Sequence, residues 1–323
     1  MQQPVPQARF HELIRAVCED TYATQDLQKY GPLEDWDTSE IRDMSNAFCG
    51  CRTFHRDLSR WNVSRVTNMH AMFYDAAAFN QPLGGWDVGQ VTDMDYMFAG
   101  ARSFNQPLEE WDTGRVSTMC GMFYGAIRFN QPLGRWDVGR VTNMTEMFSN
   151  TRRFNQPLEE WDTGRVTNMT RMFAYADAFN QPLGGWDVSR VTNLTGMFEC
   201  TRVFDQPLAR WNTAQVTKMD WMFFLAEAFH QPLERWNTSR VTNMHGVFCR
   251  SLRFNQDLRR WDVGRAKDMR GIFSEAPAFC DRHRQAVRRA WAAFDPAVKY
   301  LEPGDACGPS DDNDDMPWTD RAA

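Results

Sequence analysis

A 25-residue period runs without insertion or deletion from Tyr30 to Phe279 of this 323-residue chain. The stretch from Phe79 reads FNQPLGGWDVGQVTDMDYMFAGARS, and the next two copies begin in register at Phe104 and Phe129. Trp recurs ten times in steps of 25, from Trp36 to Trp261. Two Phe columns, Phe48 to Phe273 and Phe54 to Phe279, hold 20 of the 23 Phe, and two Met columns hold 16 of the 18 Met. With the large apolar side chains confined to fixed phases, each unit must cover its neighbour's apolar face. A repeat solenoid is the expected fold class, and chain length then counts turns and not domains.

Two textures alternate within a turn. Val91, Met94, Met97, Phe98 and Ala101 follow helical spacing, and Asp87 stands ahead of them where a carboxylate caps free N–H groups. Leu83, Trp86 and Val88 follow Pro82 and bracket Gly85, which predicts a turn feeding a short strand over 83–88. One parallel strand plus one helical segment per turn is the expectation, right-handed by the crossover rule. Strand spacing of about 4.8 Å would make ten turns a rod of about 50 Å.

The ends need covers. Phe10, Leu13, Ile14, Val17, Cys18 and Tyr22 predict one helix over 9–29, so residues 1–28 read as an N-terminal cap and 29–279 as ten repeats. After Phe279 the register fails. Asp281 begins a second predicted helix to about Phe294, giving a C-terminal cap over 280–303. Residues 304–323, with Asp311, Asp312, Asp314 and Asp315, read as a disordered acidic tail.

Net charge of −6 argues against nucleic acid as partner, because phosphate contacts need clustered Lys and Arg. No apolar run reaches the roughly 18 residues of a membrane span. The first residues show no basic stretch leading into an apolar core, so a cytoplasmic, intracellular protein is expected. The eight Cys fall at several phases of the repeat, which suits free thiols better than a disulfide ladder. A monomer is the default expectation.

Several polar columns invite a functional reading. Asp or Asn fills all ten positions from Asp37 to Asp262, but each turn offers a single acid at fixed offset, too few oxygens for calcium. Capping and turn formation explain that column. The Asn80–Gln81 pair and its copies read as a polar ladder that satisfies backbone groups. Arg65, Arg115, Arg140, Arg165, Arg190, Arg240 and Arg265 form a basic stripe. It is either a partner-binding surface or a solvated face paired with acids such as Glu109–Glu110 and Glu159–Glu160. The six His hold no common phase, although His70 and His245 share one, seven turns apart. No zinc spacing, phosphate loop or nucleophile elbow occurs, so no catalytic residue, cofactor or metal is expected.

The unit F-N-Q-P-L-x-x-W-D-[VT]-[SG]-x-V-T-x-M-x-x-M-F resembles the repeat of the BspA-like leucine-rich-repeat proteins. That resemblance implies a leucine-rich-repeat-like solenoid, and for bacterial members a surface protein associated with adhesion. It supplies no catalytic residues. The expectation is a non-enzymatic scaffold that binds a protein partner through its repeated surface. Two rivals are an adhesin whose leader is missing and a carbohydrate-binding module using Tyr74, Tyr96, Tyr124, Tyr175 and Trp221.

Overall fold

Backbone amides in the repeats alternate between two destinations, and that alternation builds the fold. In the computed structural model, which describes residues 3–21 and 23–292, the N–H groups of Met94, Tyr96, Phe98 and Gly100 donate to Thr118, Cys120, Met122 and Tyr124 one turn on, at 2.7–3.3 Å. The N–H groups between them, of Met97, Ala99 and Ala101, donate three residues back to Met94, Tyr96 and Phe98. A run of tight turns results. An α-helix would bond every one of these amides within its own segment and leave none for the neighbour.

The predicted helical segment is therefore absent from the repeats. Its residues are buried as expected, since Val91, Met94, Met97, Phe98 and Ala101 are all fully enclosed. Consecutive turns place apolar side chains three and four residues apart, as a helix does. What separates the two is left-handed backbone at two positions per turn, such as Tyr96 (φ 56°) and Gly100 (φ 69°).

The predicted strand over 83–88 is absent too. There the Trp86 N–H closes a turn onto Leu83. Parallel pairing falls instead between Val91 and Met94, as nine single-residue bridges from Asp43–Asn68 to Asn243–Asp268. Beside each bridge a Thr column reaches back one turn. Thr92 donates both N–H and Oγ1 to the Thr67 carbonyl, at 2.9 and 3.1 Å.

The Asp/Asn column caps no helix. In all ten turns its Oδ1 accepts the N–H two residues on, from Ser39 on Asp37 to Gly264 on Asp262, an Asx turn that reverses the chain. The amide ladder forms as expected. Asn80 Oδ1 accepts the Asn105 N–H at 2.9 Å, and Gln106 Nε2 donates to the Asn80 carbonyl at 3.1 Å. Asp205 holds its rung by accepting the His230 N–H.

The core is a stack of rings. Neighbours in the Phe48 column lie 5.4–5.9 Å apart, and within a turn Phe148 sits 4.2 Å from Phe154. Every Trp of the column lies beneath the surface, and from Trp61 on its Nε1 donates to the Leu carbonyl of the preceding turn, as Trp161 does to Leu133 at 3.0 Å.

At the N-terminal end the single predicted helix is two, α1 (Gln7–Cys18) and α2 (Thr24–Tyr30), with Asp20 left-handed between them. Phe10, Leu13 and Ile14 of α1 are buried, and Phe10 packs edge-on against Trp61. Tyr22, assigned to the apolar stripe, lies outside the described residues. Gln7 supplies the missing neighbour for the first turn. Its Oε1 accepts the Arg42 and Asp43 N–H groups and its Nε2 donates to the Asp43 carbonyl. At the other end α3 (Asp281–Trp291) buries Val287 and Trp291, with Trp291 stacked on Phe273. The last part of the predicted cap, with Phe294, and the acidic tail lie outside the described residues.

One expectation about chemistry fails. Cys18 and Cys51 form a disulfide that fastens the end of α1 to the first repeat, and Cys249 is disulfide-bonded as well. Cys49, Cys120, Cys200 and Cys280 are free. Phase argued against a ladder of bridges, but a staple between cap and repeat needs no phase.

Candidate ladder-face site

The ladder is one of the places where the ten turns differ. Beside the Met and Phe columns, the positions of Asp95, Tyr96, Ala99 and Gly100 change from turn to turn, as at Thr170, Arg171, Ala174 and Tyr175 or Asp220, Trp221, Phe224 and Leu225. Two of those four are the left-handed positions. Glycine is the residue such backbone favours, yet thirteen of the twenty are other residues, among them Tyr96, Arg171, Tyr175, Trp221 and Leu225. Each sits there at a cost of roughly 1–2 kcal/mol.

These side chains meet across turns and form one surface. Arg171 Nε lies 3.3 Å from Glu199 Oε2, and Tyr175 Oη donates to Glu199 Oε1 at 3.2 Å. Cys120 Sγ lies 3.2 Å from Tyr96 Oη, and Thr195 Oγ1 donates to Asp220 Oδ1 at 2.9 Å. Bulky residues lie over glycines of the next turn. A Cβ on Gly121, Gly196 or Gly246 would collide with Tyr96, Arg171 or Trp221.

Burial governs the electrostatics of this face. Desolvation raises the carboxyls of Glu146 and Glu199, and the Arg171 guanidinium opposes it at both. Burial pushes the Cys120 thiol up to about 11 and the Cys200 thiol up to about 12. Both stay protonated near neutral pH, so neither is primed as a nucleophile.

Asp268 moves the other way, held down at about 2, first by its hydrogen bond from Arg270. A carboxylate with a depressed folded-state value stabilises the fold above its unfolded value of about 4, and that contribution fades as pH falls towards 2. Asp268→Asn is expected to flatten acid unfolding across that window by about 1 kcal/mol, after allowance for solvent screening. Matched urea titrations at pH 5 and pH 2.5 measure it, and equal pH slopes would refute it.

Of the aromatics singled out for sugar binding, Tyr74, Tyr96, Tyr124 and Tyr175 are at least partly open, and Tyr175 is 42% exposed. Trp221 is not open. It is 6% exposed, against Phe224 and His245.

All seven stripe arginines (Arg65, Arg115, Arg140, Arg165, Arg190, Arg240 and Arg265) are exposed. None forms an ion pair among the described residues. Glu109 and Glu110 pair with Arg135 instead, at 3.5 and 2.9 Å. Arg115 and Arg240 donate to Gln90 and Gln215, their equivalents one turn back. The stripe borders the Asx column, and a shallow trough of about 590 Å³ is lined by Arg240 and Arg265 together with Asn237 and Asp262. Seven Asp in that column offset seven Arg, so the face carries little net charge. Sequence reading touched the ladder face only through its five aromatics, Tyr74, Tyr96, Tyr124, Tyr175 and Trp221, because its residues vary and the columns that drew attention are the uniform ones.

A family model described as "Mycoplasma protein of unknown function, DUF285" matches residues 18–131, 105–208 and 181–287. The chain belongs to this family. Its three overlapping DUF285 matches together span the repeats, which makes it a tandem repeat protein. No curated protein and no solved structure matches it. No helix among the described residues is long and apolar enough to cross a membrane.

Proposed function

We propose that this chain is a non-enzymatic, leucine-rich-repeat-like solenoid that binds a protein partner through its ladder face. The observation that carries the reading is the retention of large side chains at left-handed positions where glycine would cost least. Backbone strain of this kind is a pointer to function when the strained residues share a surface. Extended repeat surfaces suit broad, shallow recognition. The balanced Arg stripe is the weaker surface.

Two triple variants separate the faces. Tyr96→Gly, Tyr175→Gly and Leu225→Gly together relieve left-handed strain while losing packing, so stability is expected to stay within about 1 kcal/mol. Partner capture in a proximity-labelling experiment is expected to be lost. Arg140→Glu, Arg165→Glu and Arg190→Glu together are expected to fold and capture normally. The reverse pattern would move the site to the stripe.

A second reading, an adhesin of BspA type acting outside the cytosol, is favoured by the Cys18–Cys51 disulfide. Disulfides persist in oxidising compartments and are rare in the cytosol. Differential alkylation in intact cells decides: reduced Cys18 and Cys51 support an intracellular scaffold, and oxidised ones support the adhesin. Sugar binding ranks lower because Trp221 is enclosed.

A further inference from the structure

Three metal-ligating side chains converge on the ladder in the second and third repeats. His70, Asp93 and Asp95 each offer a ligand atom, and the three atoms lie within 4.8 Å of one another. Register brings them together. His70 and Asp95 occupy one column on adjacent turns, and Asp93 precedes Asp95 by two residues. His70 Nδ1 is 3.8 Å from Asp93 Oδ1, too far for a hydrogen bond. Each carboxylate keeps an oxygen in reserve. Asp93 Oδ1 accepts the Asp95 N–H, and Asp95 Oδ1 accepts Thr118 Oγ1 and the Cys120 N–H, which leaves both Oδ2 atoms for another partner.

The same register recurs seven turns on, with one change. His245 and Asp268 stand where His70 and Asp93 do, and Arg270 takes the place of Asp95. There the guanidinium neutralises the acid, with Nη2 2.7 Å and Nε 3.1 Å from the two Asp268 oxygens, and His245 Nδ1 lies 3.3 Å from Oδ2. At the first site no Lys or Arg pairs with either carboxylate among the described residues. Two acids and an imidazole face one another there.

We propose that His70, Asp93 and Asp95 bind one divalent transition-metal ion of the zinc class. An imidazole with two carboxylates suits Zn²⁺ or Co²⁺, whereas Ca²⁺ and Mg²⁺ take oxygen ligands only. Tetrahedral bonds of about 2.0 Å set ligands roughly 3.3 Å apart. The side chains must therefore draw together by about 1 Å, which partly exposed His70 and Asp93 are free to do. Three protein ligands leave a fourth position to water or to an incoming side chain.

Asp93→Asn is the clean probe, because Asn holds this position and makes the same Asx turn at Asn68, Asn143 and Asn168. Calorimetry of the full chain with Zn²⁺, and visible absorption with Co²⁺, are expected to show one equivalent bound. Asp93→Asn and His70→Ala are each expected to weaken it at least tenfold with unchanged melting. Affinity is expected to fall as pH drops, since the ligands must be deprotonated. Equal Zn²⁺ uptake by the wild type and both variants, or no uptake by any, overturns the site. Displacement of Co²⁺ by equimolar Ca²⁺ overturns the class of ion.

Discussion

Trp161→Ala is expected to destabilise the protein by about 3–5 kcal/mol, the range for truncating a large buried aromatic. Trp161 is 3% exposed, stacks 6.3 Å from Trp186 and lies 6.1 Å from Phe148. Two losses combine. The cavity opens between two turns in the middle of the stack, where each turn depends on both neighbours. The Leu133 carbonyl also loses its donor in a buried setting, which by itself costs roughly 1–3 kcal/mol. Trp161→Phe separates the two, because it keeps most of the ring and removes the N–H. Equilibrium unfolding in urea measures both variants. A loss under about 1 kcal/mol for Trp161→Ala would mean that the indole is no structural bond between turns.

Why the Trp and Phe columns were legible while the backbone was not follows from the same residues. A ring at fixed phase must face its copies, so Trp36 to Trp261 disclose the stacking whatever the chain does in between. Val91, Met94, Met97, Phe98 and Ala101 disclose only that one edge is buried. Helical spacing and the spacing of consecutive tight turns coincide there. The discriminating signal lay in the columns beside them. Gly50, Gly100 and Gly125 share one phase with Asn150, and Asn46 shares another with Gly121, Gly196 and Gly246. Glycine and asparagine recurring four residues apart mark left-handed backbone, which no helix interior contains. Tyr96, Arg171 and Trp221 in those columns hide the pattern, and they are the residues that build the ladder face. The metal-ligand group was hidden for a different reason. His70, Asp93 and Asp95 make no local motif, and only the pairing of one turn with the next sets them side by side.

Removing the staple at the N-terminal end, with Cys18→Ser and Cys51→Ser together, is expected to lower stability by about 3–4 kcal/mol. The disulfide closes a loop with a sequence separation of 33, and the entropy of that closure in the unfolded chain sets the figure. Native contacts determine where the loss appears. Gln7 occupies the Arg42 and Asp43 amides, His11 Nε2 lies 2.8 Å from the Ser45 carbonyl, and Phe10 covers Trp61. Once α1 is free to lift, those amides lose their partners and Trp61 meets water. Hydrogen exchange is therefore expected to quicken first at Arg42 and Asp43 and only later at the central turns. The paired substitution is preferable to a reductant, which would also open the disulfide at Cys249. A melting temperature unchanged by the double variant would show that packing and the Gln7 hydrogen bonds hold the cap unaided.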